Sequence, residues 1–148
     1  MAILNECNIP EDLYYDIENQ VWGKKNDDGT FTFGMTDPAQ SLAGKILYAD
    51  VKAVGKIIKK GKSAATIESG KYVGPFPMPF SGEIVAVNSE LERDSHIINL
   101  DPYGKGWLVK LKPLPEAASD INLLPTGETA VNAYRKKLED EEIICKKR

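Results

Sequence analysis

The residues AGKILYAD at 43–50 return, lightly altered, as SGEIVAVN at 81–88. In both, a small residue and a glycine precede a charged side chain, an isoleucine, two or three apolar positions and a closing Asp or Asn. A strand-like unit that occurs twice predicts two related β-units folded face to face, with the chain between them turning at a hairpin tip. The rest of the middle of the chain agrees. GKIIKKGKSAATIES and WLVKLKP are also rich in β-branched or aromatic residues and bounded by glycine or proline, so the expected class is mainly β, a small sandwich or partly closed barrel. At 148 residues the chain is one domain's worth, long enough for a single core.

The flanking segments fill in the plan. Around Tyr14–Trp22 and Thr30–Gly34, two β-prone stretches flank KKNDDG, whose Asp28-Gly29 pair suits a hairpin turn. TDPAQSLAG predicts a helix of about two turns, with Thr36 or Asp37 as N-cap, Pro38 in the first turn and Gly44 as the stop. Residues 89–99, SELERDSHIIN, predict a helical turn capped by Ser89. KPLPEAASDINLLPTGE reads as an irregular connector. It leads into TAVNAYRKKLEDEE, where Ala130, Val131, Tyr134 and Leu138 share one helical face. The domain plan is therefore a β domain over 1–125 with a C-terminal helix, 126–148, packing on it, and the closing CKKR is expected to fray.

Composition excludes several function classes. A net charge of −3 and a pI near 5.3, with no expected local concentration of basic residues, leave no footprint for nucleic acid. Apolar runs such as IVAV are too short to cross a bilayer, and the N-terminus lacks a secretory pattern, so no membrane partner and a cytoplasmic location are expected. His96 is the one histidine and sits in polar text, which argues against a nucleophilic triad and favours a solvated or lightly packed ring. Nucleotide-binding glycine loops are absent. Glu68, Glu83, Asp94 and Asp101 are carboxylates that spacing does not pair. One histidine and two distant cysteines, Cys7 and Cys145, cannot supply a zinc site. Two readings of the cysteines stay open: reduced thiols near each end, or a redox-sensitive pair that clasps the termini together. The expectation is a protein that is not an enzyme.

Lys71 stands out by position. It lies in the connection between the two repeats, within IESGKYVGPFPMPFSG, on an expected hairpin tip. A lysine amine held clear of its surroundings by rigid strands can be acylated by another enzyme. Gly70 is expected to give the turn its unusual backbone freedom and to keep bulk away from that enzyme.

From about Tyr14 to Pro113 the chain resembles the H-protein family, the lipoyl carriers of the glycine cleavage system. FGMTDPAQSLAGKILYADVKAVG (33–55), IKKGKSAATIESGK (58–71), FSGEIVAVNSEL (80–91) and DPYGKGWLVKLK (101–112) follow that family's motifs in order. The resemblance implies a barrel-sandwich hybrid of the lipoyl/biotinyl-carrier type, with lipoate on Lys71 and with Glu68, Ser69 and Gly70 forming the attachment turn. It implies a carrier that catalyses nothing and is modified by a lipoate-attaching enzyme. The turn departs from the family's ESVKAxSD: here it reads ESGKYVGP, and the HEW motif near the start lacks its histidine. A sister group resembles the chain more closely there, the H-protein-like lipoate-binding proteins of heterodisulfide-reductase-like sulfur oxidation. On that resemblance the expected role is shuttling sulfur-bound intermediates to a heterodisulfide-reductase-like complex. The alternatives are aminomethyl carriage among glycine decarboxylase, aminomethyltransferase and dihydrolipoamide dehydrogenase, or an unmodified interaction module.

Overall fold

The computed structural model describes residues 2–145. In chain order the strands are β1 (Ala2–Leu4), β2 (Cys7–Ile9), β3 (Tyr14–Asp16), β4 (Val21–Lys25), β5 (Phe31–Met35), β6 (Ile46–Val51), β7 (Ile57–Ile58), β8 (Ser63–Ser69), β9 (Val73–Pro77), β10 (Gly82–Val87) and β11 (Val109–Pro113). The α-helices are α1 (Asp37–Ala43), α2 (Ile97–Leu100), α3 (Ala118–Leu123) and α4 (Gly127–Asp140). Short 3₁₀ turns cover Ser89–Glu92 and Pro115–Ala117.

Two antiparallel sheets carry the fold. One runs β3-β4-β5-β11-β10-β7 and the other β6-β8-β9. Alternation along each strand turns Phe31 and Phe33 of β5, Ile84 of β10, Leu111 of β11, Ile46 of β6, Ile67 of β8 and Phe76 of β9 into one shared core. Phe80, from the segment entering β10, meets Phe31 edge-on at 5.1 Å between ring centres and Phe33 at 5.4 Å. The repeat seen in the sequence is a repeat in space. Its first copy forms β6 in one sheet and its second forms β10 in the other. In each, the pairing register shifts just after the shared isoleucine, between Ile46 and Tyr48 and between Ile84 and Ala86. Both isoleucines are buried at the sheet interface.

The larger sheet is buried on its other face too. Val21 of β4 joins the main core, while its neighbour Trp22 faces a second core with Leu4, Ile9, Tyr15 and the apolar face of α4. Trp22 crosses the sheet over Gly34, where a Cβ would lie 2.6 Å from the indole, so only glycine fits opposite it. Its Nε1 donates to the Pro102 carbonyl at 2.9 Å. Ala130, Val131, Tyr134 and Leu138 are the buried residues of α4, the face expected from their spacing. Tyr134 meets Tyr15 edge-on at 5.4 Å, and the Tyr15 hydroxyl donates to the Pro10 carbonyl at 2.5 Å.

Several local expectations need correction. Tyr14–Trp22 is not one strand: it breaks at residues 17–20, where Gln20 takes a left-handed φ of 57°, and the hairpin with Asp28-Gly29 at its turn joins β4 to β5. GKIIKKGKSAATIES likewise splits into β7 and β8, which enter different sheets. The break is at Gly61, whose φ of 82° suits glycine and whose N–H donates to the Met78 carbonyl. Asn88, not Ser89, caps the 3₁₀ turn, because its side-chain oxygen reaches the Glu90 N–H at 3.2 Å. The connector after β11 contains α3. Charge is also less evenly spread than expected, since Lys52, Lys56, Lys59, Lys60 and Lys62 fall in one short span. Lys59 and Lys60 in that span pair with Glu116 and Asp120. Such exposed pairs are worth at most about 1 kcal/mol, so Ala117, buried in the main core, is the stronger anchor of this connector. Among the described residues no helix is long and apolar enough to cross a membrane.

Candidate functional site

Lys71 lies at the tip of the β8–β9 hairpin. Glu68 of β8 pairs with Val73 of β9, and the Ser69 N–H donates to the Tyr72 carbonyl at 2.8 Å, leaving Gly70 and Lys71 as the exposed turn. The hairpin placement is as the repeat predicted. The backbone freedom expected of Gly70 is not needed: its φ lies outside the left-handed region, and a Cβ there would meet nothing within 4 Å. Gly74, in β9 just beyond the turn, lies under the exposed Tyr72 ring. There a Cβ would lie 2.1 Å from the Tyr72 hydroxyl, because the tyrosine folds back over β9.

Ser69 is buried, and it ties the turn to α1. Its hydroxyl donates to the Ala43 carbonyl at 2.6 Å and its oxygen accepts the Lys71 N–H at 3.4 Å. The helix arrives there by its own local chemistry. Thr36 accepts from the Ala39 N–H as N-cap, Pro38 fits the first turn, and Gly44 ends the helix at φ 79°, ψ −166°. The last carbonyls of a helix have no partner within it, and here side chains from elsewhere supply them. Besides Ser69, buried Asn99 of α2 donates to the Gly44 carbonyl at 2.8 Å and to the Gln40 side-chain oxygen at 3.0 Å. The same side chain accepts the Ile46 N–H at 2.8 Å, fixing the start of β6. His96 is half-buried and its Nδ1 lies 3.2 Å from the Asn99 oxygen, so the ring is lightly packed as expected. Asn99 carried no signal in the sequence, because its partners are tens of residues away.

The Lys71 side chain does not point freely outward. Its Cε lies 3.2 Å, and its Nζ 3.9 Å, from where a Cβ on Gly44 would stand, so the stem rests across the end of α1. Beside it opens a cleft of about 340 Å³. Its walls include Met35, Leu42, Ile67, Tyr72 and Phe76, with Glu18 and Gln20 at the rim of the β3–β4 turn. Glu68 faces the opposite way. It sits on the outer face of the smaller sheet between Tyr48 and Val73, and among the described residues no hydrogen bond joins it to the Lys71 turn.

Cys7 and Cys145 are bonded to each other, with Cα atoms 4.9 Å apart, inside the second core. Cys145 is buried and is not frayed; residues 146–148 lie outside the described residues. Around the disulfide the Cys145 N–H donates to the Asn5 carbonyl, and the Asn5 side chain returns a bond to the Ile143 carbonyl. Among the described residues no group of His, Cys, Asp and Glu could hold a metal ion.

The site therefore presents one exposed primary amine on a braced turn, with an apolar cleft at its foot. A lysine so placed, on a tight turn of a two-sheet β fold, is the arrangement that a carrier-type domain uses. Residues 13–140 match the family described as Glycine cleavage H-protein. The chain is 50% identical over 141 residues to Glycine cleavage system H protein 3 of Aquifex aeolicus, covering 94% of this chain and 88% of that one. It is 45% identical to Probable glycine cleavage system H protein 2 of Saccharolobus solfataricus, with 99% of each chain covered. A crystal structure of a glycine cleavage system H protein from Mycobacterium marinum superposes with a TM-score of 0.73 at 29% identity, covering 88% of this chain and all of that one. The chain belongs to the glycine cleavage H-protein family, a family of lipoyl carriers, and its fold is that family's barrel-sandwich hybrid.

Proposed function

We propose that Lys71 bears lipoate and that the chain works as the carrier protein of glycine cleavage, a substrate of its partner enzymes and not a catalyst. The observation that carries this is the exposed Lys71 amine on the β8–β9 tip of a chain in this family. The partners on this reading are a lipoate-attaching enzyme, glycine decarboxylase, aminomethyltransferase and dihydrolipoamide dehydrogenase, and the location is cytoplasmic. The residues present fit the group. The amine is accessible, and the cleft beside it has apolar walls from Met35, Leu42, Ile67 and Phe76 that suit an aliphatic, sulfur-containing arm. When bound, lipoate supplies a strained disulfide that a nucleophile opens and an oxidant closes again. The chain supplies placement. Ser69 and Asn99 hold the end of α1 under the turn, the hairpin keeps the attachment point rigid, and the cleft offers the arm a surface to leave and return to.

A second reading is a sulfur relay with a heterodisulfide-reductase-like complex. It is favoured by the turn itself, where Tyr72 folded over Gly74 and the proline-rich β9 give partners a different surface from the family's ESVKAxSD. The relatives' names favour glycine cleavage.

Intact mass of the protein from its native host tests the shared part. A lipoyl increment that disappears in Lys71→Arg is expected, and an unmodified or otherwise acylated chain overturns it. Adding the three glycine-cleavage enzymes then separates the two readings. Glycine oxidation that depends on the lipoylated chain supports the first, and none with active enzymes moves the assignment to the second.

A further inference from the structure

We propose that Gly44 is a positioning residue for acylation of Lys71: it is the floor on which the lysine stem lies, so that the amine reaches the attaching enzyme in one orientation. The inference rests on Lys71 being the acylated residue. Three observations meet at this glycine. Its backbone, at φ 79° and ψ −166°, occupies a region that other residues scarcely enter. Its missing side chain is the space that Lys71 uses, with Cε 3.2 Å from the absent Cβ. Its carbonyl and that of Ala43 are held by Asn99 and Ser69, from two different elements, so the floor cannot drift.

A glycine kept only to end the helix would need the φ but not the clearance. Gly55 provides the contrast within the same chain. Its φ is 97°, yet a Cβ there would meet nothing within 4 Å. A side chain at 55 brings strain alone, whereas one at 44 brings strain and lifts the lysine off its rest.

The step affected is nucleophilic attack by the Lys71 Nζ lone pair on the carbonyl of an activated lipoyl donor, an acyl adenylate formed from lipoate and ATP. The new amide bond forms as the acyl–phosphate bond breaks. AMP leaves with the electron pair, and the amine loses its proton to a base or to solvent. A lysine held flat on a glycine presents its amine with less rotamer freedom to lose, and small misplacements of a nucleophile cost large factors in rate.

The experiment compares the full-length wild-type chain with Gly44→Ala, Gly55→Ala and Lys71→Arg. The unmodified proteins are incubated with a lipoate–protein ligase, lipoate and ATP, and acylation is followed by intact mass at varied carrier concentration. Gly44→Ala is expected to lower kcat roughly tenfold to a hundredfold, with KM for the carrier little changed, because the docking surface stays intact. Gly55→Ala is expected to acylate like wild type at a comparable loss of melting temperature. A second readout needs no ligase. Nuclear Overhauser contacts between the Lys71 ε-methylene and the Gly44 α-protons are expected in the unmodified wild type, and in folded Gly44→Ala the contact from that methylene to the α-proton is expected to weaken as the stem is lifted. Equal kcat in the two alanine variants, or no such contact in wild type, overturns the proposal while leaving acylation standing. A wild-type chain that the ligase does not acylate at all overturns the Lys71 assignment instead, and the Overhauser contact still reports on the floor.

Discussion

At the scale of single residues, the site is a problem in satisfying carbonyls. Helix α1 ends under the lysine turn, and its final C=O groups lie where water is mostly excluded. Ser69 and Asn99 are therefore buried polar residues with full reasons for being polar. Removing the Ser69 hydroxyl leaves the Ala43 carbonyl without that partner, and a buried unsatisfied group costs about 1–3 kcal/mol. Ser69→Ala is thus expected to lower unfolding stability by that amount in urea titration and to slow acylation of Lys71. Ser69→Thr, which keeps a hydroxyl, is expected to recover part of both. The place of the Ser of ESGK beside the lysine was legible in the sequence, through the family resemblance. What it bonds to was not, because Ala43 is brought to it by folding alone.

At the scale of elements, the disulfide joins two pieces that contribute little to the main core. The β1–β2 hairpin and the segment after α4 meet over the second core, and Cys7 and Cys145 close a sequence separation of 138 residues. A cross-link of that span restricts the unfolded chain strongly, typically by about 2–5 kcal/mol. The hairpin is also tied to the site's helix, since the Asn8 N–H donates to Asp37 at 2.8 Å at the start of α1. Reduction by dithiothreitol is expected to lower the melting temperature, and hydrogen exchange in α4 and β1 is expected to quicken before that of β8 and β9. Equal acceleration throughout would show instead that the two cores unfold as one. The face of α4 was readable from its 3.6-residue spacing, and α3 was not, because its six residues include no fully buried side chain to mark a period.

At the scale of the whole molecule, the larger sheet divides two cores of different chemistry. The one under the carrier hairpin is aliphatic and aromatic, while the one under α4 contains buried phenols. Burial, with Tyr134 and Asp12 nearby, pushes the Tyr15 hydroxyl above its usual range; burial does the same for Tyr134, with a smaller push from Asp16 and opposed by Thr36. A folded-state value above the unfolded one gives stability that is complete below about pH 10 and lost as pH rises past it. Alkaline titration is therefore expected to destabilise the protein above the ordinary tyrosine range, with loss of α4 helicity accompanying tyrosinate absorbance. Tyr15→Phe with Tyr134→Phe should flatten that loss. A phenolate signal at the ordinary tyrosine pKa that appears with the fold intact and is missing from the Tyr15→Phe, Tyr134→Phe variant would show these rings to be solvated.

Periodicity, turn chemistry and an internal repeat were enough to indicate a β fold of two related units, the capped α1, the buried face of α4 and a lysine at a hairpin tip. Those are local facts, set by backbone preference and by which side chains must leave water. Sequence alone did not decide which sheet each strand joins, that β7 and β8 part company at Gly61, or that Cys7 meets Cys145. Nor could it show that Gly44 and Asn99 lie under Lys71. Each of those is a contact between residues far apart in the chain, and only the packing of two sheets around one core brings them within bonding distance.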